Sequence, residues 1–259
     1  MKIAILGAGA FGTALGGVLA ANGYDIDYYD SKLERERLGD VLKNALAVVL
    51  CVPSAVAPYL LPHLPLDKTL IVATKGILTD AGFANFKDYI VLSGPGFADD
   101  IKARKETHLT VTDKRLAEMF RAEYMAFDLT NDRRGVLMCG ALKNVYAVLA
   151  GLWGLEREGT PWWNYIDEVT VEMRDLLRVN GAEAETVDLA CGRGDLELTC
   201  GLPSRNYEFG LQMRNGGGHQ TAKTVEGLSA LKRILRGEII VPETAKKLHF
   251  VMEESKKWA

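Results

Sequence analysis

The chain has 259 residues, of which 48% are hydrophobic and 25% charged, with a formal net charge of −3. That length and balance suit a soluble globular protein with one large core or two modest ones. The slight acidic excess speaks against nucleic acid or a membrane surface as partner.

Residues 2–6, KIAIL, have the apolar content of a short buried strand. GAGAFG follows, with glycines at 7, 9 and 12, and TALGGVLAANG after it has helical length and stops at Gly23. The next apolar run, DIDYYD, closes on Asp30. Strand, glycine turn, helix and strand in this order are the setting a dinucleotide fingerprint requires. Gly7 permits the tight turn, Gly9 admits the pyrophosphate, and Gly12 lets helix and strand pack closely. The helix start offers N–H groups to the phosphates. Asp30, 18 residues after Gly12, is placed to hydrogen-bond the adenosine ribose. Its carboxylate repels a 2′-phosphate and favours NAD over NADP, while Ser31, Lys32 and Arg35 nearby could reverse that preference. The alternative is a glycine-rich turn of some other α/β protein.

The alternation continues through ALAVVLCVPS, TLIVATKG, YIVLSGPG, HLTVT and YMAFDLT, with helical or loop segments between. This predicts a mostly parallel sheet with ligands at the carboxyl ends of its strands. Three such ends carry informative residues: Pro53-Ser54, Lys75-Gly76 and Ser93-Gly94-Pro95-Gly96. Lys75 belongs to that chemistry or is a solvated surface lysine. After about Asn131 the strand pattern stops, and 135–155, 164–180, 220–236 and 243–258 read as helices. The expected fold class is α/β: a Rossmann-type domain over 1–132 and an all-helical domain over 133–259, with a substrate cleft between them.

CGALKNVYAVLAG at 139–151 sets Lys143 and Asn144 in a run that is otherwise apolar from Val136 to Leu155. A buried ammonium finds a partner or loses its proton. Gly140 and Ala147 share the Lys143 face at i−3 and i+4, and their small size leaves room for a ligand. The two polar residues also argue against a membrane span, and the run after Met1 turns at Gly7, too early for a signal peptide. Cys51, Cys139, Cys191 and Cys200 lie far apart without paired zinc spacing. Free thiols, no metal site and a cytoplasmic setting are expected.

Together these segments resemble NAD(P)-dependent glycerol-3-phosphate dehydrogenase. GAGAFGTAL, with Ala10 and Phe11 among its glycines, is similar to the family's cofactor loop, and CVPS and ATKG to its next two strand ends. SGPGFADD resembles its SGP-[ST]-FA segment and GALKNVYAVLAG its catalytic helix. GRGDLELTC and SRNYEFG resemble its substrate loops, and VEG at 225–227 a late cofactor contact. The motifs stand in family order from residue 3 to about 227.

The resemblance implies that Lys143 is the general acid/base, exchanging a proton with the C2 oxygen while hydride moves between C2 and the nicotinamide. Lys75 would be a second cation, lowering the Lys143 pKa and polarising the carbonyl. Asp195 would orient Lys143, and Asn144 and Thr199 would line the same pocket. Arg205 and Asn206 would hold the phosphate, a forked guanidinium matching it well. Ser204 joins them or shapes the turn. Gly94, Gly96 and Ala98 would give backbone contacts. The implied cofactor set is Gly7, Gly9, Ala10, Phe11, Gly12, Asp30, Pro53, Lys75, Ala98, Arg205 and Glu226. The alternatives are a structural Lys143–Asp195 ion pair, a solvated Arg205 and an exposed Glu226.

The chain is short for this family, its connector between Asp30 and Ala45 trimmed to a single short helix. Gly96 replaces a serine or threonine, removing a hydroxyl near substrate. GRGDL places Arg193 near the pocket, as a phosphate contact or an ion pair. Trp162 and Trp163 are core residues, a cap on the cleft or part of a dimer interface. The implied reaction is reduction of dihydroxyacetone phosphate to sn-glycerol 3-phosphate with NADH or NADPH, for phospholipid synthesis. The partner is then a small phosphorylated substrate, with no nucleic acid, no membrane insertion and a homodimer left open. The alternatives are a related two-domain dehydrogenase on another phosphorylated ketone or hydroxy acid, or a non-catalytic NAD(H)-sensing regulator.

Overall fold

The computed structural model describes residues 1–31, 37–216 and 224–258. Lys32, Arg35 and the glycines at 217 and 218 lie outside the described residues. The chain divides into two units: Met1–Lys75 with Asp80–Arg133, and Gly76–Thr79 with Arg134–Ala259.

The first unit is built on seven strands: β1 (Lys2–Leu6), β2 (Asp25–Tyr29), β3 (Ala47–Leu50), β4 (Thr69–Val72), β5 (Asp88–Ser93), β6 (Thr107–Val111) and β7 (Met125–Leu129). All seven strands expected from the sequence are formed. Their order is β2-β1-β3-β4-β5-β6-β7. Every pairing is parallel except β5 with β6, which is antiparallel. Continuous apolar runs such as AVVL in β3 are buried throughout, as a parallel sheet covered on both faces requires. The helices here are α1 (Ala10–Ala21), α2 (Leu38–Leu42), α3 (Ala57–Leu60), α4 (Ala98–Lys102) and α5 (Lys114–Met119). Leu15, Leu19, Ile5, Val49, Ile71, Leu92 and Leu109 belong to one buried apolar cluster. Because β1 lies between β2 and β3, the crossovers diverge beside its carboxyl end, where open α/β sheets bind ligands. The glycine loop is the segment that leaves this end.

The helices that follow are α6 (Arg133–Trp153), α7 (Thr160–Val179), α8 (Asp195–Thr199), α9 (Arg205–Arg214), α10 (Glu226–Leu235) and α11 (Lys246–Ser255). No strand follows β7 among the described residues. In α6 every residue from Gly135 to Gly151 is buried, which explains why it is apolar around its circumference. By length and composition it is the one helix among the described residues that could cross a membrane. Its mean hydropathy reaches 1.5, but 94% of that window is buried inside the protein, so it is a core helix here.

Three helix starts differ from the sequence expectation by more than two residues. α7 starts at Thr160 rather than 164, because Pro161 sits in the first turn, where its missing N–H costs nothing. α10 starts at Glu226, after an extended Val225; of the expected span, 220–223 lies outside the described residues. α11 starts at Lys246 rather than 243, and its first turn is capped from afar. Lys247 N and Leu248 N donate to the Glu172 carboxylate at 2.9 and 3.3 Å.

Helices α6 and α9 touch backbone to backbone. A Cβ on Gly151 would fall 2.0 Å from Tyr207 O, and one on Gly210 would fall 2.0 Å from Val148 O. Two polar contacts tie off the end of α6: Arg214 Nη1 donates to Trp153 O at 2.7 Å, and Tyr207 Oη to Leu155 O at 2.7 Å. This crossing seats α9 beside the helix that carries Lys143.

Candidate active-site residues

In the first unit the expected residues gather around the glycine loop. Gly7 has φ +106°, its N–H donates to Tyr29 O at 2.8 Å, and a Cβ on it would lie 2.5 Å from Cys51 O. A Cβ on Gly12 would lie 2.0 Å from Gly7 O. At Gly9 the same addition meets nothing within 4 Å. The loop is therefore closed at its flanks and open at its middle, which is the cradle a pyrophosphate needs. Gly9 and Ala10 are exposed and Phe11 is half-buried. Thr13 N, bonded to Gly9 O at 2.9 Å, is the first amide committed to the α1 ladder, which leaves those of Ala10, Phe11 and Gly12 outside it at the helix start, where an anion is favoured.

Asp30 is partly engaged within the protein. Its Oδ2 accepts from Ala8 N at 3.0 Å, bracing the glycine loop from the end of β2. Lys75 is half-buried rather than a solvated surface lysine. Its Nζ donates to Gly94 O at 3.2 Å and lies 5.2 Å from the centre of the Phe11 ring. Burial pushes the Cys51 thiol up to about 12, partly offset by the charge of Lys75. Pro53 is exposed in the turn after β3, and Ala98 opens α4 half-buried.

Two details of the SGPG segment were invisible in the sequence. The Ser93 hydroxyl is buried with no hydrogen-bond partner among the described residues. A Cβ on Gly96 would meet Thr107 Cγ2 at 3.3 Å, Leu109 Cδ2 at 3.4 Å and Ile101 Cδ1 at 3.5 Å. The β-carbon missing at Gly96 would point into apolar packing.

In the second unit Lys143 and Asp195 are 3% and 1% exposed and form an ion pair. Lys143 Nζ also donates to Thr199 Oγ1 at 3.1 Å. Thr199 Oγ1 sits 2.6 Å from Asp195 O, to which it donates. A hydroxyl has one proton, so Thr199 can only accept from Lys143. The apolar surroundings of α6 thus hold an ammonium whose charge is balanced at once by a carboxylate, the condition under which burial is tolerated.

A second chain of contacts runs beside it. Asn206 Nδ2 donates to Asn144 Oδ1 at 2.8 Å, Asn206 Oδ1 accepts from Gly227 N at 2.9 Å, and Asn144 Nδ2 donates to Gly140 O at 3.0 Å. Asn144, Asn206 and the start of α10 are therefore one hydrogen-bonded unit. Gly140 and Ala147 are both buried on α6. Ser204 caps α9, its hydroxyl accepting from Tyr207 N, so it shapes the turn. Arg205 follows as the first helical residue, exposed and without an ion pair among the described residues. Glu226 is the half-buried first residue of α10.

Arg193 is the ion pair rather than the phosphate contact. Its guanidinium meets Asp167 and Glu197, each at 2.7 Å, stapling α7 to α8. Trp162 is core, 2% exposed, while Trp163 is 40% exposed and packs edge-on against it at 4.6 Å. All four cysteines are free, with Cys51 half-buried and the others buried.

The sequence reading missed Glu172. It is a 6% exposed carboxylate that accepts from Tyr146 Oη at 3.1 Å while capping α11. A signal existed: Glu172 falls on the buried face of α7 beside Val169, Met173 and Leu176.

Residues 132–253 match the family described as NAD-dependent glycerol-3-phosphate dehydrogenase C-terminus. A glycerol-3-phosphate dehydrogenase (NAD(P)+) of Gloeobacter violaceus is 32% identical over 240 residues, covering 83% of this chain and 78% of that one. The enzyme of the same name from a Ruegeria species is 32% identical over 276 residues, covering 90% and 86%. The crystal structure of glycerol-3-phosphate dehydrogenase from Coxiella burnetii superposes with a TM-score of 0.83 at 26% identity, covering 98% of this chain and 95% of that one. The Saccharomyces cerevisiae enzyme, 18% identical with a TM-score of 0.74, shares the fold. With its motifs in family order and its lysine, aspartate, arginine and asparagine all present, the chain belongs to the NAD(P)-dependent glycerol-3-phosphate dehydrogenase family.

Proposed function

We propose that this chain reduces dihydroxyacetone phosphate to sn-glycerol 3-phosphate with NADH or NADPH, supplying backbones for phospholipids. The observation that carries the reading is the buried Lys143–Asp195 pair with Thr199, beside an α9 that begins with an exposed arginine. The nicotinamide, when bound, supplies the hydride that C2 receives. Lys143 gives the proton that the C2 oxygen takes up, and a proton from water restores the ammonium. Asp195 keeps that ammonium charged and aimed, and Thr199 accepts one of its N–H groups so that it cannot rotate freely. Arg205 and Asn206 hold the phosphate, a clamp that a non-phosphorylated substrate would waste. Lys75 is the second cation of the reaction.

The residues of the glycine loop fit a dinucleotide: Gly9 leaves the space, the first amides of α1 would hold the phosphates, and Asp30 would suit an unphosphorylated ribose. NAD is therefore the favoured form. The cytoplasm suits a protein whose four cysteines are free and whose most apolar helix is buried core.

The test is oxidation of NADH and NADPH in the presence of dihydroxyacetone phosphate, with Lys143→Ala run beside the parent. Turnover by the parent and its near-complete loss in the variant support the reading. Cofactor binding without turnover of this substrate sinks it.

A further inference from the structure

Helix α8 carries Asp195 and Thr199, yet it is only five residues long, and its last carbonyls have no continuing helix to bond. They are met instead by the segment that joins α6 to α7 and by the first turn of α7. Arg157 Nη2 donates to Glu197 O at 2.8 Å and to Leu198 O at 3.1 Å. Trp162 Nε1 donates to Cys200 O at 2.6 Å. The guanidinium is itself exposed, while its target loop is buried at Thr199, Cys200 and Gly201. Gly201 also packs on it, since a Cβ there would lie 3.5 Å from Arg157 Nε. A cation at a helix carboxyl end is favourable for charge as well as hydrogen bonding.

We propose that Arg157 and Trp162 are positioning residues for the reaction: together they hold the end of α8 so that Thr199 presents its oxygen to Lys143. The proposal rests on the functional reading above and deepens it. Thr199 is the last residue of α8, and its hydroxyl spans from Asp195 O to Lys143 Nζ. Any unwinding of the helix end moves that hydroxyl, and with it one of the contacts that aims the ammonium. The segment 155–163 is thereby the part that sets the acid's direction.

The parent is assayed first with dihydroxyacetone phosphate and NADH. In Arg157→Ala, kcat falls about tenfold or more while KM for NADH stays within about twofold, as misplacing a reacting group predicts. Arg157→Lys restores part of the loss, and Trp162→Phe, which keeps the bulk and removes the N–H, shows a smaller one. In a Thr199→Val background Arg157→Ala costs less than about twofold, because the contact it acts through is already gone. Amide hydrogen exchange across 196–204 speeds up in Arg157→Ala, a readout that needs no turnover. Equal losses in both backgrounds, or unchanged exchange, overturn the positioning role. A parent inactive on dihydroxyacetone phosphate overturns the functional reading instead, whatever the exchange shows.

Discussion

At Gly9, in the first unit, an added side chain would meet nothing within 4 Å; in the second, Lys143 is 3% exposed and held by Asp195 and Thr199. The two regions manage charge in opposite ways. The glycine loop keeps its partial charges on backbone amides at a helix start and leaves space in front of them. The lysine helix buries full charges and balances them inside the fold. The first arrangement costs little stability and depends on the absence of side chains. The second depends on every partner being present, because a lone buried charge is expensive.

That contrast is broken first at Lys143. Lys143→Ala should lower kcat by about 10²–10⁴-fold, the usual worth of a positioned general acid. It should also leave Asp195 buried without its cation, at about 3–5 kcal/mol of stability. Steady-state kinetics and denaturant unfolding read the two effects separately, and retained activity would make the ion pair purely structural.

Arg205 is the counterpart that should separate function from stability. Arg205→Ala removes a charge-assisted contact worth about 1.5–3 kcal/mol, raising KM for dihydroxyacetone phosphate by roughly 10–100-fold. Being exposed, it should shift unfolding by less than about 0.5 kcal/mol. A matching loss of stability would assign it a packing role.

The glycine loop gives a paired test. Gly12→Ala drives a Cβ to 2.0 Å from a carbonyl oxygen and should cost about 1–3 kcal/mol of stability. Gly9→Ala should leave stability within about 0.5 kcal/mol yet weaken NADH about tenfold. Titration of NADH against both variants decides it; equal binding by Gly9→Ala and the parent would remove the pyrophosphate from that position.

The smallest effect lies away from both sites. Asp113 caps α5, and its hydrogen bonds from Arg115 hold its carboxyl below the ordinary value of 3.8. A lowered folded value means the stabilisation is present above the unfolded value and is lost as pH falls through the folded one. Asp113→Ala should cost about 1 kcal/mol near neutrality and flatten the acid limb of the stability profile. A pH series of thermal melts reads both.

The two regions also differed in how readily their sequence was read. The strands and the glycine loop follow from local pattern: KIAIL, GAGAFG and an aspartate at 30 are neighbours in the chain and in the fold. Gly12 needs Gly7, five residues away, to explain it. Lys143 stood out because it interrupts an apolar helix, but its partners are 52 and 56 residues further on, at 195 and 199. Those came from the resemblance of GDLELTC to a family pattern. Nothing local identified Arg157 or the Trp162 indole N–H as caps, because the carbonyls they meet are some 40 residues away in sequence. Arg193 shows the limit from the other side: the sequence left a phosphate contact and an ion pair open, and two carboxylates claim it.

By itself the sequence determined the strand count, the nucleotide loop and the helix on which a lysine would need a partner. These depend on periodicity, glycine geometry and the cost of burying charge, all of which act over a few residues. Tertiary structure alone decided which way the missing side chain at Gly96 would point. It also decided that Arg193 staples two helices, that Glu172 caps a third from 75 residues away, and that α8 is finished by another segment. Hydrogen-bond partners and close approaches are set by helices crossing, and a crossing such as Gly151 on Gly210 is written in no single stretch of chain.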